Sequence, residues 1–216
     1  MFGVVAEIFG ESFVPYVAKI LQTLTKLIKE EATTRLHAAI AEAVGQMVHH
    51  TVDKLITTEE QQDLFENWFL RFIFNLIEKS NNKIAQSCAI ACLSKAITCC
   101  PDSIVVGSLE DITNKMMTLL KMKTFQNKQQ LLECLISIIF HLGEEFATFF
   151  HKFINYLIDT IKITDAKAHA YKRVAIDTIY SLAVHCQGEI APLAEQLLQI
   201  FDGLRSDKNQ PVRAAA

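Results

Sequence analysis

An all-α solenoid of stacked antiparallel helix pairs is the fold class that these 216 residues predict, and three observations carry it. The first is a nine-position phrase that returns every 41 to 49 residues. It begins at Leu36 (Leu36-His37-Ala38-Ala39-Ile40), Ala85, Asn127 and Tyr171, and a fifth copy opens at Val212-Arg213. Each copy has a polar or basic second position, small or apolar fifth and sixth positions, and an apolar ninth. The second is scarcity of turn material: seven glycines and four prolines leave little for hairpins and argue against a β-rich fold. The third is apolar spacing of three and four residues in the segments between the phrases, as in Ile20, Leu21, Leu24, Leu27 and Ile28.

A period of about 40 to 47 residues built from helix pairs is the signature of a HEAT or armadillo array. Each phrase is read as the second helix of a pair, helix B. The first helices, A, are expected at Pro15–Ile28, Glu60–Ile77, Leu109–Leu120, Ala147–Ile163 and Ala191–Leu204. Pro15 and Pro192 suit the first turn of their A helices, and Pro211 the last B helix, because a missing N–H is harmless there. Pro101-Asp102, Gly143 and Gly188 are read as ends of B helices. No linker or low-complexity tract divides the chain, so residues 1–216 are expected to form one array. Its parts are a partial repeat 1–11, repeats at about 12–52, 59–100, 108–146 and 147–186, and an incomplete repeat 189–216. Neither end carries the polar outer face of a capping repeat, which predicts a fragment of a longer array.

Apolar residues make up 50% of the chain and its mean hydropathy is +0.22, enough for a sizeable core. The net charge of -3 is too mild for a nucleic-acid binder. No apolar run reaches the length of a membrane span; Arg71 interrupts Trp68-Phe69-Leu70-Arg71-Phe72-Ile73-Phe74. The start lacks a basic segment and cleavage site, so secretion is not indicated. A soluble cytoplasmic protein is the expectation. Cys88, Cys92 and Cys134 fall at apolar positions of helical patterns and Cys99-Cys100 at a helix end, which fits free thiols in a reducing compartment. Cys88 and Cys92 have no second ligand pair to complete a zinc site. No phosphate loop, nucleophile elbow or His-Glu-x-x-His sequence occurs. The chain is therefore read as non-enzymatic, without cofactor, metal or small-molecule substrate.

Charge is sorted by edge. The turns from A to B (residues 29–35, 78–83, 121–128, 164–173 and 205–213) hold thirteen Lys or Arg against five acids. The connections from B to the next A (53–63, 101–111, 144–147 and 186–195) hold one Lys against eleven acids. Helix dipoles account for Lys79, Lys121 and Arg205 at A-helix ends, but not for Lys83, Lys128, Lys167, Lys208 and Arg213 near B-helix starts. For Lys128, Lys172 and Arg213 a structural ladder with acids of the adjacent repeat is the other reading. A basic ridge would attract an acidic partner and speed its encounter.

The stretch Gln86-Ser87-Cys88-Ala89-Ile90-Ala91-Cys92-Leu93-Ser94-Lys95-Ala96-Ile97, with Cys99-Cys100-Pro101-Asp102, resembles the plant tortifolia/spiral microtubule-associated proteins. So do Phe125-Gln126-Asn127-Lys128, Tyr171-Lys172-Arg173-Val174-Ala175 and Asp207-Lys208-Asn209-Gln210-Pro211-Val212-Arg213, in order along nearly the whole chain. The resemblance implies a TOG-like domain, a paddle of HEAT repeats whose intra-repeat turns engage tubulin or the microtubule lattice. It places the chain in the cytoplasm on microtubules. The family's first intra-repeat turn, which carries an aromatic anchor in many TOG domains, lies outside the chain. Trp68, mid-helix, is read as core. The expected tubulin contacts are Lys79, Lys83, Lys121, Lys123, Lys128, Lys167, Lys208 and Arg213, with Phe125 as the apolar contact or a staple of its turn. The rival expectation is a generic HEAT scaffold that binds a partner helix on its concave face through exposed apolar B-helix residues.

Overall fold

The computed structural model describes residues 2–30, 33–55, 57–79, 82–163 and 168–216, with Thr34 described by its backbone only. All regular structure among the described residues is helical. In order, the α-helices are α1 (Phe2–Phe9), α2 (Val14–Glu30), α3 (Thr34–Val52), α4 (Thr58–Asp63), α5 (Arg71–Lys79), α6 (Lys83–Cys99), α7 (Asp102–Lys121) and α8 (Lys128–Leu142). They continue as α9 (Phe150–Ile161), α10 (His169–His185), α11 (Gln187–Ile190), α12 (Ala194–Leu204) and α13 (Gln210–Ala215). A π-helical segment, Leu64–Leu70, joins α4 to α5, and short 3₁₀ turns (Gly10–Phe13, Gly143–Phe149, Ala191–Leu193) lead into α2, α9 and α12.

The chain forms two compact units, Met1–Lys115 with Met122–Asn127, and Met116–Lys121 with Lys128–Ala216. In the first, the B helices stack as α1 on α3 and α3 on α6, while α5 packs on α6. The apolar spacing of α2 buries Val17, Leu21, Leu24 and Ile28, and α6 buries Cys88, Ala89, Cys92, Leu93, Ala96 and Ile97. In the second, α8 and α13 each pack on α10, and α9 closes against it. Its core is aromatic: Phe146, Phe150 and Phe153 are fully buried. Burial disfavours the thiolate and raises the pKa of Cys100, Cys134 and Cys186, that of Cys134 to about 12, while Cys92 is raised first by its hydrogen bond with Cys88 and then by burial. All six cysteines are free thiols.

Three expectations need correction. The A helix expected from Leu109 begins at Asp102. Gly107 and Ser108 lie inside α7, on the face that Gln62 of α4 approaches. A Cβ at Gly107 would stand 2.9 Å from Gln62 Oε1, and Gln62 Nε2 donates to Ser108 Oγ at 2.6 Å. Gly188 does not end α10, which stops at His185; it sits in α11. Gly143 does terminate α8, taking a left-handed φ of 57° that a glycine adopts without strain. Trp68, expected in the core, is 45% exposed. The wider π turn shifts the register so that Phe65 and Phe69 point inward and Trp68 outward. Its ring borders a shallow hollow with Leu21, Asn67, Arg71 and Phe72.

Candidate interaction surface

The turns between A and B helices are positioned by polar ladders that run from one repeat to the next. In the first unit, Asn82 precedes α6 and its Oδ1 accepts the N–H of Ile84 at 2.8 Å, so Lys83 stands at the exposed first position of the helix. The following turn, 122–127, is tied to this one by Asn127. That side chain is wholly buried and donates to the Lys83 carbonyl at 2.9 Å and to Gln86 Oε1 at 3.1 Å. Gln86 donates onward to the Ile77 carbonyl at 3.2 Å. Two of the predicted basic turns are thereby locked together. The Asn127→Ala variant is expected to lose about 1–3 kcal/mol of stability, since it leaves the Gln86 amide short of a buried partner. Hydrogen exchange should show faster exchange at the start of α6.

Within turn 122–127, Met122, Lys123 and Thr124 face solvent, whereas Phe125 is 5% exposed. Phe125 is therefore the staple that holds the turn to the core, and the expectation of an apolar contact at its ring is corrected: an aromatic ring in a turn lowers its free energy by turning inward.

The second unit has its own ladder. Lys172, second position of the fourth phrase, is buried and its ammonium donates to Asp207 Oδ2 at 2.6 Å. Asp207 also accepts the Asn209 N–H at 2.9 Å. The Lys172 hydrogen bond, and then the Asn209 one, hold its carboxyl below the usual carboxylate range. Arg213 donates to the Asp207 carbonyl at 2.6 Å while its side chain stays exposed. The structural-ladder reading thus holds for Lys172, and Arg213 spends one donor on the same turn. Tyr156 adds a third tie, donating to the Leu120 carbonyl at 2.8 Å and accepting from Tyr171; burial raises the pKa of both phenols.

Outside these ladders the cations are left for solvent. Lys79, Lys83, Lys121, Lys123 and Lys208 are exposed, and no carboxylate pairs with them among the described residues. Lys128 is half-buried, which depresses its pKa. Lys167 lies outside the described residues. Other surface cations do find acids: Lys95 meets Glu42 at 3.1 Å and Lys115 meets Asp111 at 2.8 Å.

Residues 1–216, the whole chain, match the family model described as TORTIFOLIA1 N-terminal. The chain belongs to the TORTIFOLIA1 N-terminal family. Comparison with curated proteins returns no match. Among solved structures, this family member is similar to Kap121p, with 14% identity and a TM-score of 0.65 over 94% of this chain and 19% of that one. It is equally similar to Kap121p bound to Pho4p, with 14% identity and a TM-score of 0.65 over 99% of this chain and 20% of that one. The chain thus spans about a fifth of the length of those solved chains. At that identity the likeness shows the fold, a HEAT-repeat solenoid. No described helix is long and apolar enough to cross a membrane.

Two signals escaped the sequence reading. Asn127 resembles any turn asparagine until its burial is known, and the outward ring of Trp68 depends on a π turn that apolar periodicity does not reveal.

Proposed function

We propose that this TORTIFOLIA1 N-terminal chain is a non-catalytic module that binds tubulin or the microtubule lattice through the A-to-B turns of its units. The observation that carries the reading is a set of five exposed lysines, Lys79, Lys83, Lys121, Lys123 and Lys208, with no carboxylate paired to them among the described residues. Unpaired cations on rigid turns raise the local positive potential. They steer an acidic partner without costing affinity through loop ordering. Tubulin as that partner, and microtubules as the location, come from the family resemblance. Lys128 and Arg213 contribute charge beside the exposed lysines, and Lys167 belongs to the same proposed set. Phe125 and Asn127 hold the turn in place.

Co-sedimentation with microtubules tests the reading. Reversal of Lys121, Lys123 and Lys128 to glutamate is expected to abolish pelleting at low salt and to leave helical circular dichroism unchanged. Binding by the unaltered chain should weaken as salt shortens the Debye length below about 10 Å. Pelleting that the triple reversal does not alter would remove these turns from the mechanism.

A further inference from the structure

The B helices of the second unit carry an apolar ladder that its core does not use. Counted from the start of each phrase, Ile136 on α8 and Tyr180 on α10 occupy one position, and Phe140 and Val184 the position four residues on. Phe140 is 54% exposed, Tyr180 65% and Val184 40%, and Ile136 is half-exposed. The same two positions are Ser94 and Thr98 in α6, and Gly45 and His49 in α3. The apolar pair is therefore not a requirement of the repeat. It occurs only on the two helices that pack together in the second unit. Phe140 is further ordered by an edge-on contact with the His185 ring, centroids 4.9 Å apart. Along each helix the two positions are separated by about 6 Å, one turn, and packed helices stand about 8–10 Å apart. The ladder thus offers a patch that two turns of a partner helix would cover.

Acids bracket it. Glu133 and Asp177, which share the seventh position of their phrases, border a hollow with Ile136 on one side. Glu144 and Glu189 border a second hollow with Val184 and His185 on the other. Arg173, 3.7 Å from Asp177, lines the first hollow together with His169; His151 does not line the second but stands 3.1 Å from its Glu189. Four carboxylates against one permanent cation leave the rim acidic.

We infer that this face of α8 and α10 binds an amphipathic helix of a partner protein whose apolar stripe covers Phe140 and Tyr180 and whose flanking residues are Lys or Arg. The apolar centre supplies the affinity and the acidic rim selects the sign of the flanks. This surface is distinct from the lysine-bearing turns and does not depend on their role.

The probe is an 18-residue fluorescent helix with leucine at every third or fourth position and lysine elsewhere, set against the same peptide with glutamate in place of lysine. Anisotropy is expected to show saturable binding of the leucine–lysine peptide alone. The Tyr180→Ser variant should weaken it several-fold. The Phe140→Ser/Tyr180→Ser pair should weaken it at least about tenfold, as central anchors do. Glu133→Lys should weaken it as well, and the triple lysine reversal should leave it unchanged. Equal binding by the parent and the double variant would overturn the proposal, as would preference for the glutamate peptide. So would a parent chain that sediments as a dimer and becomes monomeric on the double substitution, because the occupant would then be a second copy. Absence of any leucine–lysine binding by the parent also overturns it.

Discussion

Replacing Asp207 with alanine is expected to lower the stability of the second unit by about 3 kcal/mol or more. The Lys172 amine, with its side chain only 7% exposed, would lose the carboxylate 2.6 Å away and be left without that partner in a site that water barely reaches. Removing one partner of a buried pair strands the other, which is why the loss exceeds what the pair itself contributes. At about 2–4 °C per kcal/mol for a chain of this size, the midpoint of thermal unfolding should fall by about 6 °C or more. Restoring neutrality with Lys172→Met on the same background should recover most of it. A double variant as unstable as Asp207→Ala alone would mean that the loss comes from the Asn209 turn and not from the ammonium. The pair also sets a pH dependence. Asp207 has its folded pKa lowered from 3.8. Its contribution is therefore complete above the unfolded value and disappears as pH falls through the lower, folded one. Acid titration should show parent and Asp207→Asn/Lys172→Met chains converging below about pH 4.

The second large effect is expected at Phe153. Its ring is fully buried and lies 5.9 Å, centroid to centroid, from that of Phe146. Truncation to alanine removes the ring from a closely packed aromatic cluster, and the surrounding helices cannot collapse fully into the space. A loss of about 3–5 kcal/mol follows, measurable as a fall in the denaturant midpoint with the slope unchanged. Phe153→Leu should recover a large part of it. Should the alanine variant cost less than about 1 kcal/mol, the cluster would not be the organising core of this unit.

Much of the architecture was legible in the chain because helix pairing is a local property. The phrase at Ala85 and the phrase at Asn127 each specify a B helix by apolar spacing alone, and α6 and α8 begin within two residues of those starts. Connections were less legible. Gly107 and Ser108 lie within α7, on the face that Gln62 and Glu66 approach, and Ser108 bonds to both. That approach is a tertiary fact. Trp68 shows the same limit from the other side, because one π turn changes which face of a helix a ring occupies.

The candidate surface divides along the same line. Counting Lys and Arg by segment was enough to show an excess of basic residues in the A-to-B turns, since charge is written in the residues. It could not separate the cations that support the fold from those left over. Lys172 and Lys208 look alike in sequence; one is buried against Asp207 and the other is exposed. By itself, then, the sequence determined the repeat, the all-α class and the sign of the charge in each set of connections, because periodicity and formal charge depend on neighbours within a few residues. Only the tertiary structure decided which lysines remain unpaired, that Phe125 turns inward and Trp68 outward, and that the apolar pairs of α8 and α10 lie on adjoining helices. Burial and pairing are set by what the next repeat places against each side chain.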